Sequence, residues 1–176
     1  VFFLNSAYLL TDFTPPFTFE IPTAKFVDAT YNLSVEASLY GGFVTQQTAI
    51  NLTFNNGVTT PPINTNTFTP YVPPSPPAGQ PLIVAATGDG ASGEWPQVSD
   101  MIASWNPGMF LYLGDVYELG TYTEFYNWYG TATRYFGKFR NITNPAIGNH
   151  EYMPLGQALG YRDYWDNPPL YYSYDA

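Results

Sequence analysis

The chain has 176 residues, with 5 Lys and Arg against 14 Asp and Glu, so its net charge is −9 at pH 7. This charge argues against nucleic acid as a partner, because neutralising phosphates requires a basic surface, and no apolar run is long enough for membrane insertion. The chain has no cysteine, which excludes disulfides and thiolate metal sites.

Other features of the composition favour an extracellular or cell-surface protein. The chain contains 17 prolines and begins at Val1 rather than at an initiator methionine. Three Asn-x-Ser/Thr sequons mark candidate N-glycosylation sites at Asn32, Asn51 and Asn141. We therefore expect this chain to be part of a longer, exported protein.

Residues 1–57 have the pattern of an all-β domain. Apolar and polar side chains alternate strictly between residues 31 and 39, which is typical of a strand with one buried face. The pair Gly41-Gly42 then predicts a turn. Further β-rich runs lie at residues 1–4, 17–20 and 50–54. Several short strands at such spacing indicate a β-sandwich.

This segment resembles the bacterial immunoglobulin-like domains of secreted and surface proteins. The resemblance is carried by the runs VFFLNSAYLLTD, PPFTFEIP and TYNLSVEASLYGGFVTQQTAINLTF. Domains of that kind usually begin with an edge strand that would precede Val1. The resemblance therefore implies that the sheet edge beside residues 1–4 is open or is completed by other polypeptide.

A proline-rich linker is predicted at residues 58–80. Proline fixes φ and removes a backbone donor, so the stretch VTTPPINTNTFTPYVPPSPPAGQ is unsuited to a helix or a central strand. We expect it to form an extended, semi-stiff spacer.

Residues 81–176 have the pattern of an α/β domain. Apolar runs predict strands at 81–87, 109–113 and 142–147, and helical patterns lie at 96–105 and 122–129. A polar cluster follows each strand: Asp89, then Asp115, then Asn149-His150. Ligands of open α/β sheets bind at the carboxyl ends of strands, and carboxylate and amide oxygens suit hard or borderline divalent cations. The sequence thus predicts one metal-binding crevice.

The series TGDG, LYLGDVYELG and PAIGNHEY resembles the calcineurin-like metallophosphoesterases, especially the purple acid phosphatase branch. The resemblance implies that Asp89 binds one metal ion, Asp115 bridges two, and Asn149 binds the second. It also implies that His150 is not a metal ligand and instead hydrogen-bonds the transferring phosphoryl group or the leaving oxygen. The two ions would be divalent or mixed-valence, such as Fe, Zn or Mn, and would activate a hydroxide that hydrolyses a phosphate ester.

The sequence also departs from that family. Purple acid phosphatases place a tyrosine three residues after the bridging aspartate, whereas this chain has Glu118 there and Tyr117 one residue earlier. Many members place a histidine two residues after the first aspartate, and here that residue is Ala91. His150 is the one histidine of the chain, so the histidine ligands that the family takes from later motifs are lacking. The metallophosphoesterase domain is therefore expected to be incomplete in this chain.

Two functions follow from these patterns. The first is a secreted or cell-surface metal-dependent phosphoesterase that acts on phosphate monoesters or diesters, of which this chain is a portion. The alternative is a structural subunit of an extracellular, glycosylated assembly or filament that reuses the fold without catalysis. Copies would then join by strand addition at open sheet edges. At the level of single residues, Asp89 and Asp115 could also be turn aspartates, and His150 a loop histidine.

Overall fold

The computed structural model describes residues 1–38, 44–90, 96–152 and 157–175. It divides the chain into two compact units, Val1–Ile63 and Asn64–Ala176. The boundary falls inside the predicted linker, so each unit includes part of that segment. No helix in the described part of the chain is long and apolar enough to cross a membrane.

Unit 1 is built on a four-stranded antiparallel sheet in the order β2-β1-β3-β4. Its strands are β1 (Phe2–Leu4), β2 (Ala7–Leu10), β3 (Thr30–Ser38) and β4 (Val44–Thr53), with a short 3₁₀ helix at Thr23–Lys25. Phe2, Leu4, Leu9, Leu10 and Phe54 are buried. These apolar side chains form the core of the unit.

Part of the predicted all-β pattern is confirmed. The alternating run that begins at residue 31 lies in β3, and residues 50–53 lie in β4. The predicted strand at 17–20 does not form, and the predicted Gly41-Gly42 turn lies outside the described residues. A sandwich requires a second sheet that faces the first. The described residues of unit 1 form one sheet, so the immunoglobulin-like assignment stays a prediction.

The chain begins with a tight hairpin that the sequence pattern did not reveal. Asn5 and Ser6 connect β1 to β2 with φ values of +48° and +66°, as expected for a two-residue type I′ turn. Strand β1 therefore pairs with β2 on one side and with β3 on the other. The expectation of an open sheet edge beside residues 1–4 is wrong, because the chain itself supplies the strand that covers that edge.

Unit 2 is built on a three-stranded parallel sheet in the order β5-β6-β7. The strands are β5 (Val84–Thr87), β6 (Met109–Tyr112) and β7 (Thr143–Pro145). Between them lie α1 (Pro96–Ser104), α2 (Tyr122–Glu124), a π-helical turn at Phe125–Tyr129 and a 3₁₀ helix at Tyr135–Ile142. A 3₁₀ turn at His150–Tyr152 and α3 (Leu159–Tyr164) follow β7. The three strands and two helices predicted for this segment are confirmed, with ends shifted by a few residues.

The central strand of this sheet is anchored by an aromatic core on one face. Phe110 and Tyr112 of β6 are fully buried. The Phe110 ring lies 4.8 Å from that of Phe139, and the Tyr112 ring meets Tyr129 edge to face at 4.8 Å. Leu113 lies just beyond β6 and is 58% exposed. The packing on one face fixes β6, and with it the start of the loop that follows.

The second half of the predicted linker is bound to unit 2. The side-chain amide of Asn66 donates to Oδ1 of Asp166 (2.7 Å). The backbone of Tyr71 pairs with the buried amide of Asn144: the Tyr71 N–H donates to Oδ1 and its carbonyl accepts from Nδ2, both at 2.8 Å. These contacts hold residues 66–71 against the edge of the unit instead of leaving them as a free spacer.

Candidate functional site

The three predicted polar clusters follow three neighbouring strands of the parallel sheet. Asp89 follows β5, Asp115 follows β6, and Asn149 with His150 follows β7. Because the strands are parallel, their carboxyl ends share one edge of the sheet. The first two loops run side by side, since the N–H of Gly90 donates to the carbonyl oxygen of Asp115 (3.0 Å).

Both aspartates have a left-handed backbone conformation. Their φ values are +57° for Asp89 and +64° for Asp115. This conformation costs an L-residue roughly 1–2 kcal/mol, and Asp is among the residues that tolerate it. Each aspartate follows a glycine, and the two aspartates share this conformation although Gly114 has a φ of +90° and Gly88 does not have a positive φ. Such strain is found where the surrounding structure holds a residue in place for function.

Glycines allow the three loops to touch one another. A Cβ atom on Gly88 would lie 2.9 Å from Cβ of Leu113, and one on Gly114 would lie 2.3 Å from the backbone N of Gly148. A Cβ atom on Gly148 would lie 2.0 Å from Oδ1 of Asp115. Each of the three motifs therefore needs glycine, because a larger residue would clash with the neighbouring loop. This contact explains why Gly precedes Asp, Asp and Asn in the three motifs.

The histidine is oriented by two hydrogen bonds. The backbone N–H of His150 donates to Oδ1 of Asp115 (3.0 Å), and its ring Nδ1 lies 2.6 Å from the carbonyl oxygen of Glu118. A carbonyl oxygen only accepts, so Nδ1 carries the proton in this pair. In the neutral ring, Nε2 is then the nitrogen that can accept a proton.

Tyr117 connects the first and third loops across the site. Its hydroxyl donates to Oδ1 of Asp89, and its ring packs edge to face against that of His150, with centroids 4.1 Å apart. The hydrogen bond to Asp89 raises the pKa of Tyr117 to about 12. Tyr117 is therefore a neutral hydrogen-bond donor at neutral pH.

A buried carboxylate joins the loop after β6 to the loop after β7. Glu151 is 2% exposed and accepts from the backbone N–H groups of Asp115 (3.0 Å), Val116 (2.6 Å) and Gly148 (2.7 Å). Burial raises the pKa of Glu151, and the three N–H donors oppose that rise only in part. Glu151 thus positions Asp115 through its backbone.

A second buried carboxylate, Glu124, was not identified from the sequence. It accepts from the N–H groups of Glu118 (2.7 Å), Leu119 (3.1 Å) and Thr121 (2.8 Å). Its own N–H donates to the Thr121 hydroxyl at 3.1 Å, which completes a capping box at the start of α2. The Thr-x-x-Glu pattern of a capping box is the signal that could have found it.

The site residues offer oxygen atoms of the kind that coordinate divalent cations. Oδ1 of Asp89 and Oδ1 of Asp115 are hydrogen-bonded, and the described residues leave Oδ2 of each without a hydrogen bond. Asn149 is exposed next to His150. No group of three or more His, Cys, Asp and Glu side chains within the described ranges could hold a metal ion. The available donors are hard oxygens, which fit a divalent cation in type but do not complete its shell. Ala91 lies outside the described residues.

The candidate glycosylation sites differ in their surroundings. Asn32 and Asn51 are exposed and lie opposite each other on β3 and β4, with Nδ2 of Asn32 donating to Oδ1 of Asn51 (3.3 Å). Asn141 is also exposed, but the Thr143 of its sequon is buried and donates to the carbonyl oxygen of Phe139 (2.7 Å). Glycosylation stays a prediction at all three positions.

Comparisons of the chain with protein-family models, with curated proteins and with solved structures return no match.

Proposed function

We propose that unit 2 carries the site of a metal-dependent phosphoesterase that hydrolyses phosphate monoesters or diesters outside the cell or at its surface. The observation that supports the proposal is the arrangement of Asp89, Asp115 and Asn149-His150 at the carboxyl ends of three adjacent parallel strands. Hydrogen bonds and glycine contacts between these loops hold the aspartates and His150 in a defined arrangement.

In this proposal Asp89, Asp115 and Asn149 would hold the divalent cations through their side-chain oxygens. Bound cations would supply positive charge that a protein of net charge −9 otherwise lacks, and would polarise the phosphoryl oxygens. His150 keeps one proton on Nδ1 through the Glu118 carbonyl. When the ring is protonated, Nε2 donates its proton to the leaving oxygen of the ester.

The experiment is a calorimetric titration of the 176-residue chain with Mn²⁺ or Zn²⁺, together with hydrolysis of a chromogenic phosphate ester. We expect weak but measurable cation binding and slow hydrolysis, because the coordination shell is incomplete. Asp115→Asn should weaken cation binding by about tenfold or more, since even groups that only orient metal ligands have effects of that size.

The matched control is Asp100→Asn. Asp100 is an exposed aspartate of the same unit, on α1, and pairs with Lys138 at 2.5 Å. An exposed ion pair contributes little to stability, so this variant should bind the cation like the wild type. If Asp115→Asn and Asp100→Asn bind equally well, or if neither they nor the wild type bind any divalent cation, the proposed function is wrong.

One observation favours the alternative function of a structural subunit. Strand β5 is at the edge of its sheet, and the described residues leave its outer edge unpaired. Ile83 and Val84 at this edge are 43% and 45% exposed. An open apolar edge can accept a strand from another copy. Light scattering tests this function: concentration-dependent assembly of the wild type that Val84→Lys abolishes would support it, and a monomer at all concentrations would contradict it.

A further inference from the structure

The loop between β6 and α2 places one peptide group against the histidine. The carbonyl oxygen of Glu118 accepts from Nδ1 of His150 at 2.6 Å. The Glu118–Leu119 peptide is trans, and in a trans peptide the C=O and N–H groups point in opposite directions. Whatever holds the N–H of Leu119 therefore sets the direction of the Glu118 carbonyl.

The group that holds this N–H is the carboxylate of Glu124. Its Oε2 accepts from Leu119 (3.1 Å) and Thr121 (2.8 Å), and its Oε1 accepts from the N–H of Glu118 (2.7 Å). Glu124 is fully buried. Hydrogen bonds to a buried charge are strong, and a peptide that donates to a carboxylate becomes a better acceptor at its carbonyl. The Glu118–Leu119 peptide thus connects Glu124 to His150.

We propose that Glu124 is a positioning residue for His150: acting through the Glu118–Leu119 peptide, it keeps the proton of the neutral ring on Nδ1 and leaves Nε2 as the acceptor nitrogen of that ring. The use of Nε2 rests on the proposed phosphoesterase function. The tautomer itself does not, because it follows from contacts within the protein.

The test uses the fact that His150 is the one histidine of the chain. The 176-residue protein is labelled with ¹⁵N-histidine, and the ring nitrogen shifts are measured at about pH 8.5, where an ordinary imidazole is neutral. We expect the Nδ1–H tautomer to predominate in the wild type. Glu124→Gln replaces one acceptor oxygen with a donor and should move the tautomer ratio towards Nε2–H by roughly tenfold.

The matched control is Thr121→Ala. It removes the other side chain of the capping box and destabilises the start of α2, but it leaves both acceptor oxygens of Glu124 in place. Its tautomer ratio should equal that of the wild type, with folding of each variant checked by near-ultraviolet circular dichroism. An equal shift in both variants, or an unchanged ratio in folded Glu124→Gln, would overturn the proposal.

The wild-type spectrum is a test that does not depend on any variant folding. A predominant Nε2–H tautomer in the wild type would overturn the proposal directly. Failure of the cation titration would instead remove the phosphoesterase function and leave the tautomer result unaffected, so the two failures are distinguishable.

Discussion

Gly148 sets how closely the loop after β7 approaches the loop after β6. Its φ is not in the left-handed region, so glycine is required here because a side chain would clash with the neighbouring loop. A Cβ atom here would lie 2.0 Å from Oδ1 of Asp115 and 2.6 Å from its backbone N. Both atoms belong to the residue that forms the centre of the candidate site. The contact therefore connects the packing of the loops with cation binding.

We predict that Gly148→Ala lowers the free energy of unfolding by about 1–3 kcal/mol, because the added methyl group must displace a packed loop. It should also weaken Mn²⁺ binding, because the atom displaced belongs to Asp115. Urea denaturation and calorimetry measure the two effects.

The control for this prediction is Gly79→Ala. Gly79 has a φ of +80° and no atom near its Cβ position, so alanine there meets backbone strain of about 1–2 kcal/mol and no steric contact. Gly79→Ala should keep wild-type cation binding. Wild-type binding by Gly148→Ala, or equal loss of binding in both variants, would contradict the link between this glycine and the site.

At the scale of single residues, the sequence predicts which polar side chains lie at the ends of strands. It predicts less well which groups form hydrogen bonds with the backbone of a loop. The position of Asp89, Asp115 and His150 at one edge of the sheet could be predicted, because residues that follow adjacent parallel strands share that edge. The roles of Glu124 and of the Glu118 carbonyl were not predicted. They depend on which backbone N–H groups a folded loop presents, and residue identity along the chain does not specify that.

At the scale of elements, strand prediction succeeded where apolar runs end in glycine-containing loops. Strands β5, β6 and β7 of unit 2 were predicted in this way. The hairpin of unit 1 was missed because Asn5-Ser6 is a weaker turn signal than Asn-Gly. Missing the hairpin removed β2 from the predicted sheet. The expectation of an open edge beside β1 came from the resemblance to immunoglobulin-like domains, which usually begin with a strand that would precede Val1.

The hairpin gives a prediction at this scale. Ser6 has a φ of +66°, which glycine adopts at no steric cost. Ser6→Gly should raise the free energy of unfolding of unit 1 by about 0.5–1 kcal/mol, because the relief of strain exceeds the added entropy of the unfolded chain. Ala7→Gly, in β2, is the control and should lower the unfolding free energy by about 0.5–1 kcal/mol. Urea denaturation that shows Ser6→Gly to be destabilising would contradict a type I′ turn at this position.

At the scale of the whole molecule, composition predicted where the chain divides but not where each unit ends. The proline content of residues 58–80 correctly indicated a segment without helix or strand. It could not show that part of this segment is hydrogen-bonded to unit 2, because those contacts depend on the surface presented by β7 and by the residues after α3. Asn144 supplies the main contact: its buried amide pairs with both backbone groups of Tyr71.

The last prediction compares two fragments of unit 2, residues 64–176 and residues 81–176. The shorter fragment lacks Tyr71 and leaves the buried amide of Asn144 without these two hydrogen bonds, which should cost about 1–3 kcal/mol. For a fragment of this size, the thermal unfolding midpoint of the shorter fragment should be lower by about 5 °C or more.

The control is Asn144→Ala in both fragments. In the shorter fragment Asn144 has already lost Tyr71, and a substitution costs less once the contacting group is gone. The substitution should therefore destabilise 64–176 more than 81–176. Equal thermal unfolding midpoints for the two unmodified fragments would contradict the assignment of residues 64–71 to unit 2. They would indicate that these residues are a free spacer.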